Sequence, residues 1–283
     1  MLTEDDLRSP RRRRIALPLF LFLATCVSTF FVGATGWQPV EYREPPNWQQ
    51  GLVYMAAVIG ILLTHEMGHF LQAVRYHVPA SLPYFIPLPV MMTGTMGAVI
   101  GMEGSRADRK QLFDIGISGP LAGLLVAIPV ICLGVLRARP GDIQAAHYLN
   151  DPLIFRLITH WLRPDLADNV VLAKGPLLMA GWVGMLITGL NMMPISQLDG
   201  GHVVYGLFGK RAHLMARGFV CAAIAAMLYF DDYTWLLMLT LVLFIGIDHP
   251  PTRDDTVKLG PIRTTVGWLS LLIPVLCFTP VPM

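Results

Sequence analysis

The sequence predicts an all-α polytopic membrane protein of six or seven transmembrane helices, interrupted by one short re-entrant β/loop segment. Three observations predict it. The 283-residue chain is 54% hydrophobic and only 14% charged, where a soluble domain carries about 25% charge. Apolar runs of roughly 17–25 residues, the length that crosses a bilayer, recur along it. One apolar stretch, residues 79–104, holds Pro79, Pro83, Pro87, Pro89, Gly94, Gly97, Gly101 and Gly104, a density that forbids regular helix.

The elements follow in order. Residues 1–14 are polar and end in Arg11-Arg12-Arg13-Arg14. The apolar run 15–32 is long for a cleaved signal and lacks a small-x-small cleavage site, so it reads as an uncleaved first span. The second span covers 51–74 and the third 112–136. In the loop that follows, Asp151-Pro152 is a good helix start. Ile154, Leu157, Ile158 and Trp161 then share one face, suited to the membrane surface or to packing on the protein. The fourth span, 176–193, breaks at Pro194 and reaches Leu198-Asp199-Gly200-Gly201. Further apolar runs cover 214–230, 233–247 and 264–280. The net charge of +2 gives no argument for a nucleic-acid partner. Cys26, Cys132, Cys221 and Cys277 are isolated and read as buried apolar thiols.

Lys and Arg in the short loops set the orientation. With a cytoplasmic N-terminus, that side holds Arg8, Arg11 to Arg14, Arg75, Arg106, Arg109, Lys110, Lys210, Arg211, Arg217, Arg253, Lys258 and Arg263. The far side holds Arg43, Arg137, Arg139, Arg156, Arg163 and Lys174. The imbalance favours a cytoplasmic N-terminus. His65 then lies about two to three turns inside the cytoplasmic end of its span, and Asp199 falls near the cytoplasmic end of the fourth.

The chemistry rests on His65-Glu66-Met67-Gly68-His69. Positions i and i+4 of a helix share a face, so His65 and His69 can aim at one metal ion. Glu66 is about 100° further round the helix, poorly placed as a ligand but well placed to take a proton from water. Zinc suits two imidazoles plus one carboxylate, with a fourth position open, and Asp199 is the carboxylate candidate. Ionisable groups at bilayer depth cost several kcal/mol and need a partner, which a divalent cation supplies. In a chain of this composition the motif arises by chance roughly 0.004 times. An ion transporter would need a path of polar ligands through the membrane, and one cluster is visible. A protease taking its third ligand from a downstream Glu has only Glu103 to offer.

The chain resembles the site-2 protease family of intramembrane zinc metalloproteases, peptidase family M50. The resemblance is carried by His65 to His69, by Asn191-Met192-Met193-Pro194-Ile195-Ser196-Gln197-Leu198-Asp199-Gly200-Gly201, by Leu112 to Ile115, by Ser118 to Gly123, and by the segment from Pro83 to Gly97. It covers about residues 51–210 and implies a three-helix catalytic core, the spans at 51–76, 111–136 and 176–200, with flanking transmembrane helices. It divides the chain into an N-terminal part (1–50), that core (51–210) and C-terminal spans (211–283). It also implies one Zn2+ held by His65, His69 and Asp199, with Glu66 as general base. The expected reaction is Glu-assisted attack of zinc-bound water on peptide bonds of transmembrane protein substrates within the lipid bilayer. Asn191 matches the family's Asn, which implies a role in holding the substrate or the developing oxyanion. Gly94, Thr95, Met96 and Gly97 begin a short strand whose edge suits an extended substrate.

Other polar residues are given plainer roles. Asp114 reads as a helix cap, Gly119 and Gly123 as close-packing positions, and His202 as a non-ligand. His77, His147, His160, His213 and His249 receive no role.

Overall fold

The computed structural model describes residues 15–37, 45–140, 149–166, 172–195 and 197–279. Arg8, Arg11 to Arg14, Arg43 and Ser196, which carry part of the orientation and motif argument, lie outside the described residues, as does His147. Helix α1 (Ala16–Thr35), α2 (Trp48–Arg75) and α3 (Arg109–Arg137) form where the first three spans were expected. Each is long and apolar enough to cross a membrane, with mean hydropathy of 2.0, 1.5 and 2.3. Asn47 starts α2 by accepting from the backbone N–H of Gln49 and Gln50 at 3.0 and 3.2 Å. Asp108 starts α3 in a reciprocal capping box with Gln111. The cap of α3 is therefore Asp108, not Asp114. Asp114 lies one turn inside the helix, buried, where Arg263 binds both its oxygens at 2.7 and 2.9 Å and the Tyr76 hydroxyl donates to it.

Between α2 and α3 the proline- and glycine-rich segment forms an antiparallel hairpin, β1 (Tyr84–Leu88) and β2 (Gly94–Val99), with a register irregularity at Ile86/Pro87. The chain's interior anchors it. Tyr54 of α2, fully buried, donates its hydroxyl to the Thr93 carbonyl at 2.8 Å. Ser28 of α1 donates to the Gly94 carbonyl at 2.6 Å. Gly94 has φ +72°, and a Cβ there would meet Thr29 Cα at 2.9 Å, so glycine is required on both counts. The hairpin packs against α1, which buries that side of it.

Helix α4 (Leu153–Leu162) follows Pro152 as expected, but its buried face is different. Phe155, Ile154, Ile158 and Leu162 pack on the protein, whereas Leu157 and Trp161 are exposed. Helix α5 (Pro176–Asn191) is 16 residues long. It packs against α2 and α3 to make the centre of the fold, where Tyr54, Phe113, Ile131, Met179, Trp182 and Met185 are nearly all fully buried. Small residues let the helices approach: a Cβ on Gly181 would meet Ile131 at 2.3 Å, and one on Gly184 would meet Ile61 at 3.0 Å.

In the second half the helices fall on the expected runs, but several are shorter and one begins where none was expected. The chain breaks after α5, and a new helix, α6 (Asp199–Phe208), begins at Asp199. A single 3-10 turn, Gly209–Arg211, joins it to α7 (Ala212–Phe230). Together they give a fourth apolar stretch of 32 residues. Asp199 therefore opens a helix instead of ending the fourth span. The later runs form α8 (Leu236–Ile245), α9 (Pro261–Ser270) and α10 (Ile273–Cys277), each shorter than the four long apolar stretches. Of the cysteines only Cys277 is buried, and Cys221 is exposed on α7, whose outward face is apolar.

Candidate metal centre

The i, i+4 spacing on α2 places His65 and His69 side by side, ring centroids 4.9 Å apart. Their Nε2 atoms are 3.2 Å apart. Asp199, on the first turn of α6, reaches between them: its Oδ2 is 3.1 Å from His65 Nε2 and its Oδ1 is 3.2 Å from His69 Nε2. Among the described residues these three are the one group of His, Cys, Asp or Glu side chains that could hold a metal ion, with their ligand atoms within 4.8 Å of one another.

The donor set fits a divalent cation. His69 Nδ1 is 2.7 Å from the Ile115 carbonyl, which can only accept, so that nitrogen carries the proton. In the neutral ring, Nε2 then presents a lone pair to Asp199 and to His65. Two imidazole nitrogens and a carboxylate crowd together, an arrangement that a shared cation relieves. A tetrahedral zinc with bonds of about 2.0–2.1 Å has ligand atoms about 3.3 Å apart, close to the 3.1–3.2 Å separations seen here. The Ile115 carbonyl fixes the His69 ring as an outer partner would if His69 held a metal.

Helix α3 supplies a glycine cradle beneath the rings. A Cβ on Gly119 would lie 2.0 Å from His69 Nε2, and one on Gly123 would lie 3.1 Å from His65 Nδ1. Gly116, one turn earlier, gives the same relief to His202, whose Cβ would be 2.6 Å away. Gly68 of α2 lies against Ser118, which donates its hydroxyl to the Gly68 carbonyl at 3.0 Å. The close packing expected of Gly119 and Gly123 is thus packing against the two imidazoles.

A cavity of about 130 Å³ opens beside the cluster. Glu66, 3% exposed, and Asn191, the last residue of α5, line it, as do Gln197 and His202. The hairpin reaches it through Ala98, Val99 and Ile100. Gly94, Thr95, Met96 and Gly97 do not line it; they form the part of β2 held to α1 and tied by Thr95 Oγ1, which accepts from Gly97 N–H at 3.0 Å. With Gly94 anchored on α1, the far end of the strand, Ala98 to Ile100, comes over the site.

The sequence reading of His202 as a non-ligand agrees with its place beside, not in, the ligand cluster, and Gln197 has no role of its own in that reading. The signal for His202 was its i+3 spacing from Asp199, readable once α6 is known to begin at Asp199. His249, beyond α8, hydrogen-bonds His202 Nδ1 at 2.7 Å, and no spacing rule joins two residues that far apart.

Residues 53–230 match the sequence model of peptidase family M50. The chain is 32% identical over 256 residues to the probable zinc metalloprotease EGY1, chloroplastic, of Arabidopsis thaliana, covering 84% of this chain and 46% of that protein. It is 27% identical to EGY2 of the same plant, covering 79% of this chain and 41% of the relative. It is 26% identical to EGY3 of Oryza sativa subsp. indica, covering 81% and 42%. The chain spans less than half the length of these relatives. No solved structure matches it significantly.

Proposed function

The chain belongs to peptidase family M50, and on that premise we propose that it is an intramembrane zinc metalloprotease of the site-2 type, hydrolysing peptide bonds in or near the transmembrane segments of membrane-tethered proteins. The observation that carries the reading is the convergence of His65, His69 and Asp199, from two helices, beside a cavity that Glu66 lines. His65 Nε2, His69 Nε2 and the Asp199 carboxylate would hold the zinc. Zinc, when bound, polarises a carbonyl and makes a coordinated water acidic near neutral pH.

The chain's own groups do the rest. A Glu66 carboxylate oxygen takes the proton of the attacking water and returns it to the amide nitrogen as the C–N bond breaks. The Asn191 side-chain amide donates to the developing oxyanion. The substrate lies extended along β2, with Val99 and Ile100 nearest the site and residues Gly94 to Gly97 continuing the strand. Among the described residues β2 has one strand partner, β1, which supports this mode. The helices α2, α3 and α5 form the catalytic core within residues 51–210, flanked by the N-terminal part (1–50) and C-terminal spans (211–283). The short α5, α8 and paired α9 and α10 complete six or seven crossings. The N-terminus is cytoplasmic and the site is near that side, which Arg75, Arg106, Arg109, Lys110, Lys210 and Arg211 support.

The test is cleavage of a single-span membrane protein co-reconstituted with the enzyme in liposomes. Wild type cleaves it, and Glu66→Gln retains zinc with cleavage abolished. Undiminished proteolysis by Glu66→Gln overturns the role of Glu66.

A further inference from the structure

A second histidine cluster adjoins the metal centre. His202 lines the cavity three residues after Asp199 on α6. Its Nδ1 lies 2.7 Å from His249 Nε2, and His249 Nδ1 lies 2.5 Å from the Pro250 carbonyl oxygen. A carbonyl only accepts, so His249 Nδ1 carries the proton. Burial is the largest influence on His249 and lowers its pKa, with His213 reinforcing it and the Pro250 carbonyl and Asp255 opposing. In the neutral His249 that results, Nε2 is a lone pair. His202 Nδ1 must then donate to it, and a neutral His202 is left with Nε2 as an acceptor.

His249 is itself clamped. Its ring stacks on Tyr205 with centroids 4.4 Å apart, and its carbonyl accepts from His213 Nε2 at 3.1 Å. Tyr205 is held in turn by donating to Asp255 at 2.9 Å. The loop between α8 and α9 is strapped to the start of α3 as well, by Arg253 N–H to the Ala107 carbonyl at 2.9 Å and Arg109 N–H to the Asp254 carbonyl at 3.2 Å. This loop lies beyond residues 53–230, the segment that carries the family match.

We propose that His202 is a hydrogen-bond acceptor of the substrate cavity, taking a backbone N–H of an extended peptide, and that His249 is the positioning residue that sets its tautomer. The inference rests on the proteolytic reading above. Within that reading, His65, His69, Asp199 and Glu66 are committed to the metal and to the proton of water. A peptide lying along Val99 and Ile100 brings N–H groups that need an acceptor, and His202 supplies one.

The experiment compares His249→Leu, which removes the acceptor at Nε2, with His249→Gln, whose side-chain oxygen restores it. The readouts are cleavage kinetics, zinc content and the ¹⁵N resonances of labelled histidine rings. His249→Leu lowers kcat about 10-fold with zinc retained, and His249→Gln recovers most of the loss. The ring resonances show His202 protonated at Nδ1 in wild type and no longer uniformly so in His249→Leu. Equal rates in wild type and His249→Leu, or equal loss in both variants, overturn the proposal. A wild-type protein inactive alongside Glu66→Gln defeats the proteolytic reading instead, and the ring resonances still decide the tautomer: protonation of His202 at Nε2 in wild type overturns it.

Discussion

Gly119→Ala separates the metal centre from the stability of the fold. An added Cβ would lie 2.0 Å from His69 Nε2, 2.3 Å from Cδ2 and 2.4 Å from Cε1. Those contacts are with a ring, not the end of a flexible chain, so the imidazole must swing away. It then leaves both Asp199, at 3.2 Å, and the Ile115 carbonyl, at 2.7 Å. Loss of an outer partner alone costs about 10–100-fold in metal affinity, and displacement of the ligand costs more. Activity should fall by about 100-fold or more. The backbone effect has the opposite sign, because Gly to Ala inside a helix stabilises by about 0.5–1 kcal/mol. Overpacking offsets that gain, so the expected signature is a loss of zinc affinity that far exceeds any change in melting temperature measured in chelator. Gly60→Ala on α2 is the control, since a Cβ there meets nothing within 4 Å. Isothermal zinc titration and thermal melting with and without chelator measure both quantities. Full zinc affinity and full activity in Gly119→Ala would refute the cradle.

Other predictions follow from single contacts. Arg263→Leu strands the buried Asp114 carboxylate and should lower stability by about 1–3 kcal/mol, discounted for the partial exposure of Arg263; thermal unfolding reads it, and Asp114→Asn added to it should recover part of the loss. Tyr54→Phe leaves the Thr93 carbonyl without its donor and should cost about 1–3 kcal/mol, with faster hydrogen exchange in the hairpin as the local readout. His249 has its pKa depressed by burial, so the folded loop takes up its proton less readily than the unfolded chain. Its stabilising contribution is present above about pH 6.5 and is lost as pH falls below that value. Hydrogen-exchange protection factors across residues 246–260, taken against the intrinsic rate at each pH, should fall between pH 7.5 and 5.5, and His249→Gln should flatten that dependence. Chelation should abolish cleavage and added zinc should restore it.

The site was legible where its chemistry is local. His65, Glu66 and His69 fall on one stretch of helix, and their spacing alone predicts a shared metal. The proline and glycine density of residues 79–104 correctly excluded helix, and Gly94 to Val99 does form a strand. Asp199 was found as a candidate but put on the wrong element. The sequence reading carries the end of the fourth span past Pro194 to Asp199-Gly200-Gly201, whereas Gly200 is small because a Cβ would meet the Met192 carbonyl at 2.1 Å as α6 starts. Asp114 looked like a cap because its partner, Arg263, is 149 residues away. The bond between His202 and His249 was hidden for the same reason: it depends on how α6 and the loop after α8 meet. The later apolar runs fall on helices, but these are shorter or broken within the run, since hydropathy measures composition and not where a helix breaks.

The most direct measurement of the central claim is the zinc content of purified wild type, Glu66→Gln and Asp199→Ala. The account predicts about one zinc per chain in the first two and a near-complete loss in the third, because the Asp199 carboxylate closes the site that the two α2 imidazoles begin. Undiminished zinc in Asp199→Ala, or none in wild type, would contradict it.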